Sequence, residues 1–155
     1  EHDKVALAAD LVRQADAAGK RFVFPVDHVA AVGGVDTDVR VTAGEALADD
    51  EAGGDIGPKS VERFVAEIRG SRTVLWNGPV GRFELERFAD GTRRVGEAIV
   101  ASEAVSVVGG GDTAAAVRQF GLTDRMTHVS TGGGASLEFL SGRALPGVAA
   151  LTDAS

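Results

Sequence analysis

Two runs of three consecutive glycines, at 109–111 and 132–134, constrain this chain more than any other feature. Each follows a short strand pattern, at 104–108 and 128–130, and each leads into a helical pattern, at 114–120 and 136–140. A third break, Asn77-Gly78-Pro79, ends the apolar stretch at 73–76. Strands that alternate with helices build a parallel sheet covered by helices on both faces. The expected fold class is therefore α/β, a three-layer α/β/α parallel sheet of the Rossmann-like kind.

Glycine supplies 21 of the 155 residues, nearly twice the average share of about 7%. Proline supplies only 4, so the glycine does not belong to a collagen or a linker and must sit inside a folded unit. The length matches roughly one domain. The formal charge of −7 argues against a nucleic-acid partner and against a polybasic membrane patch. An anionic ligand must then be held by local donors. With no cysteine in the chain, disulfides and thiolate metal sites are excluded, which fits a cytoplasmic location. No apolar run approaches the roughly 18 residues of a membrane span.

Along the chain, Val5, Ala8, Val12, Ala15 and Ala18 predict an amphipathic helix over 4–18 that stops at Gly19. The run at 22–26 predicts a buried strand. A turn is expected at 33–38, a short peripheral strand at 39–42, and a glycine-rich loop over 44–57. Pro58 opens the strongest helix, with Val61, Phe64, Val65 and Ile68 on one face and Gly70 at its end. A weaker helix is expected over 91–102, where Gly96 counts against it. Asp112 and Thr113 begin the helix after the first triple-glycine run, where either side chain can cap free amides.

Ligands of open parallel sheets bind beyond the carboxyl ends of the strands. A helix N-terminus there offers unpaired N–H groups and partial positive charge, which suit phosphate. Glycine lets a ligand approach the backbone. A single glycine turn reads as a tight turn only; two triple runs at strand-to-helix switches favour an anion site. Asp112 reads either as a plain cap or as a carboxylate for a phosphate-bound magnesium, and on this residue alone the cap is the simpler reading. Thr113 is a cap or a phosphate donor. Pro79 and Phe83 could wall a pocket for a base, although Phe83 serves equally as core. Residues 53–60 imitate a P-loop, but Pro58 stands where its second glycine is required and no hydrophobic strand precedes it. His2, His28 and His128 form no metal pattern, no G-x-S-x-G elbow accompanies Ser130 or Ser136, and Trp76 reads as core.

The blocks DIGPKS (55–60), VLWNGPVGRFE (74–84), GGGDTAAAV (109–117) and HVSTGGGASLEFL (128–140) stand in fixed order with FPVD (24–27) and LPGVAAL (145–151). Together they resemble the phosphoglycerate kinase family across nearly the whole chain. That family transfers phosphate between 1,3-bisphosphoglycerate and ADP with magnesium, as a cytoplasmic, monomeric, two-domain enzyme. The resemblance implies that 1–155 is part of the C-terminal, nucleotide-binding domain, incomplete at its N-terminal side. It implies that Glu84 contacts the ribose and that Gly53 and Pro79 lie around the adenosine. Gly110, Gly111, Asp112 and Thr113 would form the phosphate loop, with Asp112 directed at the metal–nucleotide complex. Asn77 would lie near the outer phosphates. Thr113 with Gly132, Gly133 and Gly134 would face the transferred phosphoryl group.

The same resemblance implies that the N-terminal phosphoglycerate-binding domain, a glycine-alanine-lysine segment and the family's catalytic lysines are absent. Lys4, Lys20 and Lys59 are the lysines present, and none stands in that context. Arg82 occupies a position that is commonly apolar in the family. The expectation is that the parent is a kinase and the chain alone is inactive. The alternatives are a non-catalytic nucleotide-binding module and a structural fragment with open sheet edges.

Overall fold

The computed structural model describes residues 2–34, 38–130 and 132–151. Of the turn expected at 33–38, Gly33 and Gly34 form a bend; Val35, Asp36 and Thr37 lie outside the described residues, as do Glu1 and Thr131. The chain opens with α1 (Val5–Ala17), whose Gly19 ends it as expected, at φ 65°. None of the α1 side chains is buried, and Val5, Leu7 and Leu11 are exposed.

Three strands make an antiparallel sheet, β1 (His28–Val32), β2 (Val39–Val41) and β3 (Glu51–Ile56), in the order β2-β1-β3. Two expectations change here. Residues 22–26 form no strand, and Phe22 and Phe24 are 48% and 52% exposed, stacked on each other. No described strand runs beside them, and an apolar run becomes a strand only where another strand pairs with it. The loop expected over 44–57 contains β3, created by its pairing with β1 from His28↔Ile56 to Val32↔Glu51.

The second sheet is parallel, as expected. It joins β4 (Thr73–Asn77), β5 (Val105–Gly109) and β6 (His128–Ser130) in chain order. It is flanked by α2 (Pro58–Arg69), α3 (Asp90–Ala101) and α4 (Gly111–Gln119), and α5 (Gly133–Leu140) and α6 (Pro146–Ala149) follow β6. The core joins Trp76 and Val108 of the sheet to Val61 of α2, Val95 and Ile99 of α3 and Val117 of α4. On the other face of the sheet Leu75 and Val105 remain open to solvent.

The α2 N-terminus is capped from a distance. Asp27, buried, accepts from the amides of Ser60 (2.8 Å) and Lys59 (3.0 Å) and from the Ser60 hydroxyl (2.6 Å). Burial alone would raise its pKa, but the Ser60 hydroxyl, both amides and the Lys59 charge outweigh that and hold it below 3.8. The Ser60 oxygen also accepts from the amides of Val26 and Asp27, so this network ties the unpaired segment to α2.

Candidate functional site

Parallel registration makes the strands end level. Asn77 pairs with Gly109, and Gly109 with Ser130. The turns that follow therefore meet at one edge of the sheet. A methyl group on Gly133 would lie 2.7 Å from the Gly110 Cα and 3.0 Å from its N, well inside normal contact. Gly110 itself has φ 96°, a conformation that side chains rarely adopt. A methyl there would sit 3.5 Å from Asn77 Oδ1, and one on Gly109 3.3 Å from Asn77 Nδ2. Asn77, Gly110 and Gly133 thus converge from three strands.

Gly111 differs from its neighbours. It has no positive φ, and a methyl on it would meet nothing within 4 Å; the same holds for Gly134. Nothing inside the fold requires glycine at either position. Both stand in first turns, Gly111 opening α4 and Gly134 second in α5. Backbone N–H groups in a helical first turn lack intrahelical partners.

The expected capping role does not hold. Gly110, not Asp112 or Thr113, is the N-cap of α4, and Gly132 is that of α5, its own amide donating to the Ser130 hydroxyl at 3.1 Å. Asp112 lies in the first turn of α4 with its side chain exposed. Thr113 is buried, and its oxygen accepts from the Gly78 amide at 2.7 Å, which locks the turn after β4 onto α4. Its hydroxyl hydrogen remains for a further acceptor. Trp76 also braces this turn, donating from Nε1 to the Gly78 carbonyl at 2.8 Å.

Gly53 lies apart, in a hollow of about 340 Å³ lined by Pro25, Leu47, Gly54, Asp55, Ile56 and Val80, with His28 beside them. Pro79 precedes Val80 and is half-buried; Glu84 is exposed and outside that lining. Phe83 is core, edge-on to Phe120 and packed with Ala116. Among the described residues no three His, Asp or Glu side chains gather as a metal cage, and no helix is long and apolar enough to cross a membrane.

Sequence reading overlooked Asp55 as a site residue. It is only 4% exposed. Its carboxylate accepts from the Gly91 amide (2.7 Å) in the first turn of α3 and from the Ile56 amide (2.8 Å). Burial pushes its pKa up to about 6; the two amides oppose that and the Asp90 charge adds to it. The sequence signal was its place in DIGP, but the partners that make it unusual come from elsewhere in the chain.

The sequence pattern of the family described as phosphoglycerate kinase matches residues 1–143. Over 154 residues the chain is 47% identical to the phosphoglycerate kinase of Clostridium tetani, covering 99% of this chain and 38% of that protein. It is 53% identical over 161 residues to the phosphoglycerate kinase of Chloroflexus aurantiacus, covering 99% and 40%. Among solved structures, phosphoglycerate kinase from Coxiella burnetii superposes with a TM-score of 0.86 at 37% identity, covering 96% of this chain and 39% of that one. The enzyme from Pyrococcus horikoshii superposes with a TM-score of 0.80 at 34% identity, covering 96% and 36%. The chain thus spans less than half the length of these relatives.

Proposed function

The chain belongs to the phosphoglycerate kinase family, and from that premise we propose that it supplies the nucleotide side of a cytoplasmic, monomeric kinase. The reaction is transfer of the terminal phosphoryl group of ATP to the carboxylate of 3-phosphoglycerate, and its reverse. The observation that carries this reading is the pair of glycine turns in contact through Gly110 and Gly133, beside a Gly111 that the fold does not itself require.

In this reading the phosphates lie over the first turns of α4 and α5. Amides of Gly110 and Gly111 bind their oxygens, and the absence of a side chain at Gly111 lets them come close. Asn77 reaches the outer phosphates. The Thr113 hydroxyl, held in place by the Gly78 amide, donates toward the transferred group, with the backbone of Gly132 and Gly133 on its other side. Gly53 and Pro79 wall the adenosine and Glu84 accepts from the ribose hydroxyls.

The residues fit magnesium in one specific way. Asp112 is an exposed carboxylate beside the phosphate turn, and among the described residues no cage of acidic side chains surrounds it. That suits an ion whose other ligands are phosphate oxygens and water. When bound, magnesium neutralises charge on the phosphates. The phosphoglycerate-binding side and the cations that offset developing charge would come from a domain outside these 155 residues, so the chain alone turns over negligibly.

Calorimetry with Mg-ADP tests the reading. Binding that Gly111→Ala weakens supports it, and no heat at millimolar ligand overturns it. A coupled assay giving near-normal turnover from this chain would overturn the claim of inactivity. A structural role by association is favoured by the open Leu75 and Val105 and by the uncovered face of α1; light scattering that shows oligomers would support it.

A further inference from the structure

The wall of the hollow beside Gly53 is held by a buried side chain that the reading above does not use. Residues 79–84 leave the edge of β4 and lie against β3, where the Arg82 amide donates to the Gly54 carbonyl at 2.8 Å. The Gly81 amide donates to the buried Thr92 hydroxyl of α3 at 3.1 Å. Between these two fastenings sits Asp55. A methyl group on Gly81 would lie 2.2 Å from Asp55 Oδ1, and one on Gly91 2.3 Å from the same atom. The carboxylate therefore fills a socket made by two glycines, one from the loop and one from the first turn of α3, and its Oδ2 accepts the Gly91 amide. Asp55 also lines the hollow, alongside Gly53 and Val80.

We propose that Asp55 is a positioning residue for nucleotide binding, holding residues 79–84 and the first turn of α3 against β3 so that the base-side wall keeps its shape. This rests on the nucleotide-site reading given above. Asp55 does not touch the phosphate turns, whose fastenings run through Asn77, Gly78, Thr113 and Gly133. Its loss acts on the adenosine half of a ligand and spares the phosphate half. A merely structural role would weaken both halves together.

The test uses the chain with three probes: adenosine, inorganic pyrophosphate with magnesium, and Mg-ADP. Asp55→Asn places an NH2 group against an amide N–H and removes a charge-assisted bond. Adenosine and Mg-ADP are expected to bind about tenfold more weakly, with pyrophosphate binding unchanged. Asp55→Ser, too small to clash with Gly81 or Gly91, covers the case in which the asparagine variant fails to fold. Equal weakening of all three probes, or no weakening of adenosine, overturns the proposal. Failure of both variants to fold also overturns it, by making Asp55 a determinant of folding. Absence of Mg-ADP binding in the wild-type chain overturns the nucleotide reading itself, and this inference with it.

Discussion

Gly133→Ala and Gly134→Ala are the same chemical change at adjacent positions of α5, and the structure assigns them opposite outcomes. At Gly133 the new Cβ lands 2.7 Å from the Gly110 Cα and 3.0 Å from its N. Carbon atoms pack comfortably at about 3.5–4.0 Å, so the turns must separate by about 1 Å. The atoms in the way are backbone, and Gly110 is held at φ 96° as the cap of α4, so no side chain can swing aside. Overpacking of this kind costs about 1–3 kcal/mol. At Gly134 the Cβ meets nothing within 4 Å, and alanine in a helix gains up to about 0.5–1 kcal/mol over glycine. Urea unfolding of both variants reads the difference. With a slope of about 1–3 kcal/mol per molar, the midpoints separate by about 1 M, with Gly133→Ala the lower. In the proposed nucleotide reading Mg-ADP affinity adds a second readout, falling in Gly133→Ala because the two turns that would hold the phosphates are forced apart. Coincident midpoints would refute the claim that the two glycine turns are packed against each other.

Gly111→Ala is expected to leave the urea midpoint unchanged or slightly raised while Mg-ADP binding weakens at least tenfold, because only a ligand would meet the added methyl. Ser60→Ala removes the hydroxyl shared by Asp27 and the amides of Val26 and Asp27, and chemical denaturation should show a loss of about 1–3 kcal/mol. Asp55 makes stability fall as pH rises from about 4 to about 6, since its folded pKa near 6 lies above the ordinary 3.8 and the native state binds the extra proton in that window; the full effect is about 3 kcal/mol, read as a higher urea midpoint at pH 5 than at pH 7.5. Asp27 has the opposite sign: its pKa is lowered on folding, so its stabilisation is complete above 3.8 and disappears as pH falls through the folded value, which should lower the midpoint again in stronger acid.

Elements whose local signals coincide with their burial were legible in advance. The α2 helix has Pro58 in its first turn and its apolar stripe faces the core, where Val61 is buried and Phe64, Val65 and Ile68 pack. The strands β4 and β5 and the turns after them follow from short apolar runs cut by glycine. Where a distant partner decides, local reading failed. The β3 sequence, Glu-Ala-Gly-Gly-Asp-Ile, has little intrinsic strand preference and becomes a strand by pairing with β1. Residues 22–26 have the preference without the partner. Gly96 argued against a helix that exists, because its propensity cost was visible and its reason was not: a methyl there would lie 2.7 Å from Leu122 and 3.2 Å from the Trp76 ring. Asp55 escaped notice for the same cause, since Gly91 stands 36 residues beyond it.

The first triple-glycine run shows where residue identity alone stops being informative. Its members look equivalent in sequence, yet each is glycine for a different reason. Gly109 is buried at the end of β5, with Asn77 at its side. Gly110 adopts a backbone angle that other residues resist, and it receives Gly133. Gly111 has neither constraint. A fold that needs only the first two would tolerate alanine at the third and gain helix stability from it. In the proposed nucleotide reading, the cost of glycine at the opening of α4 is offset by a phosphate resting on unpaired first-turn amides.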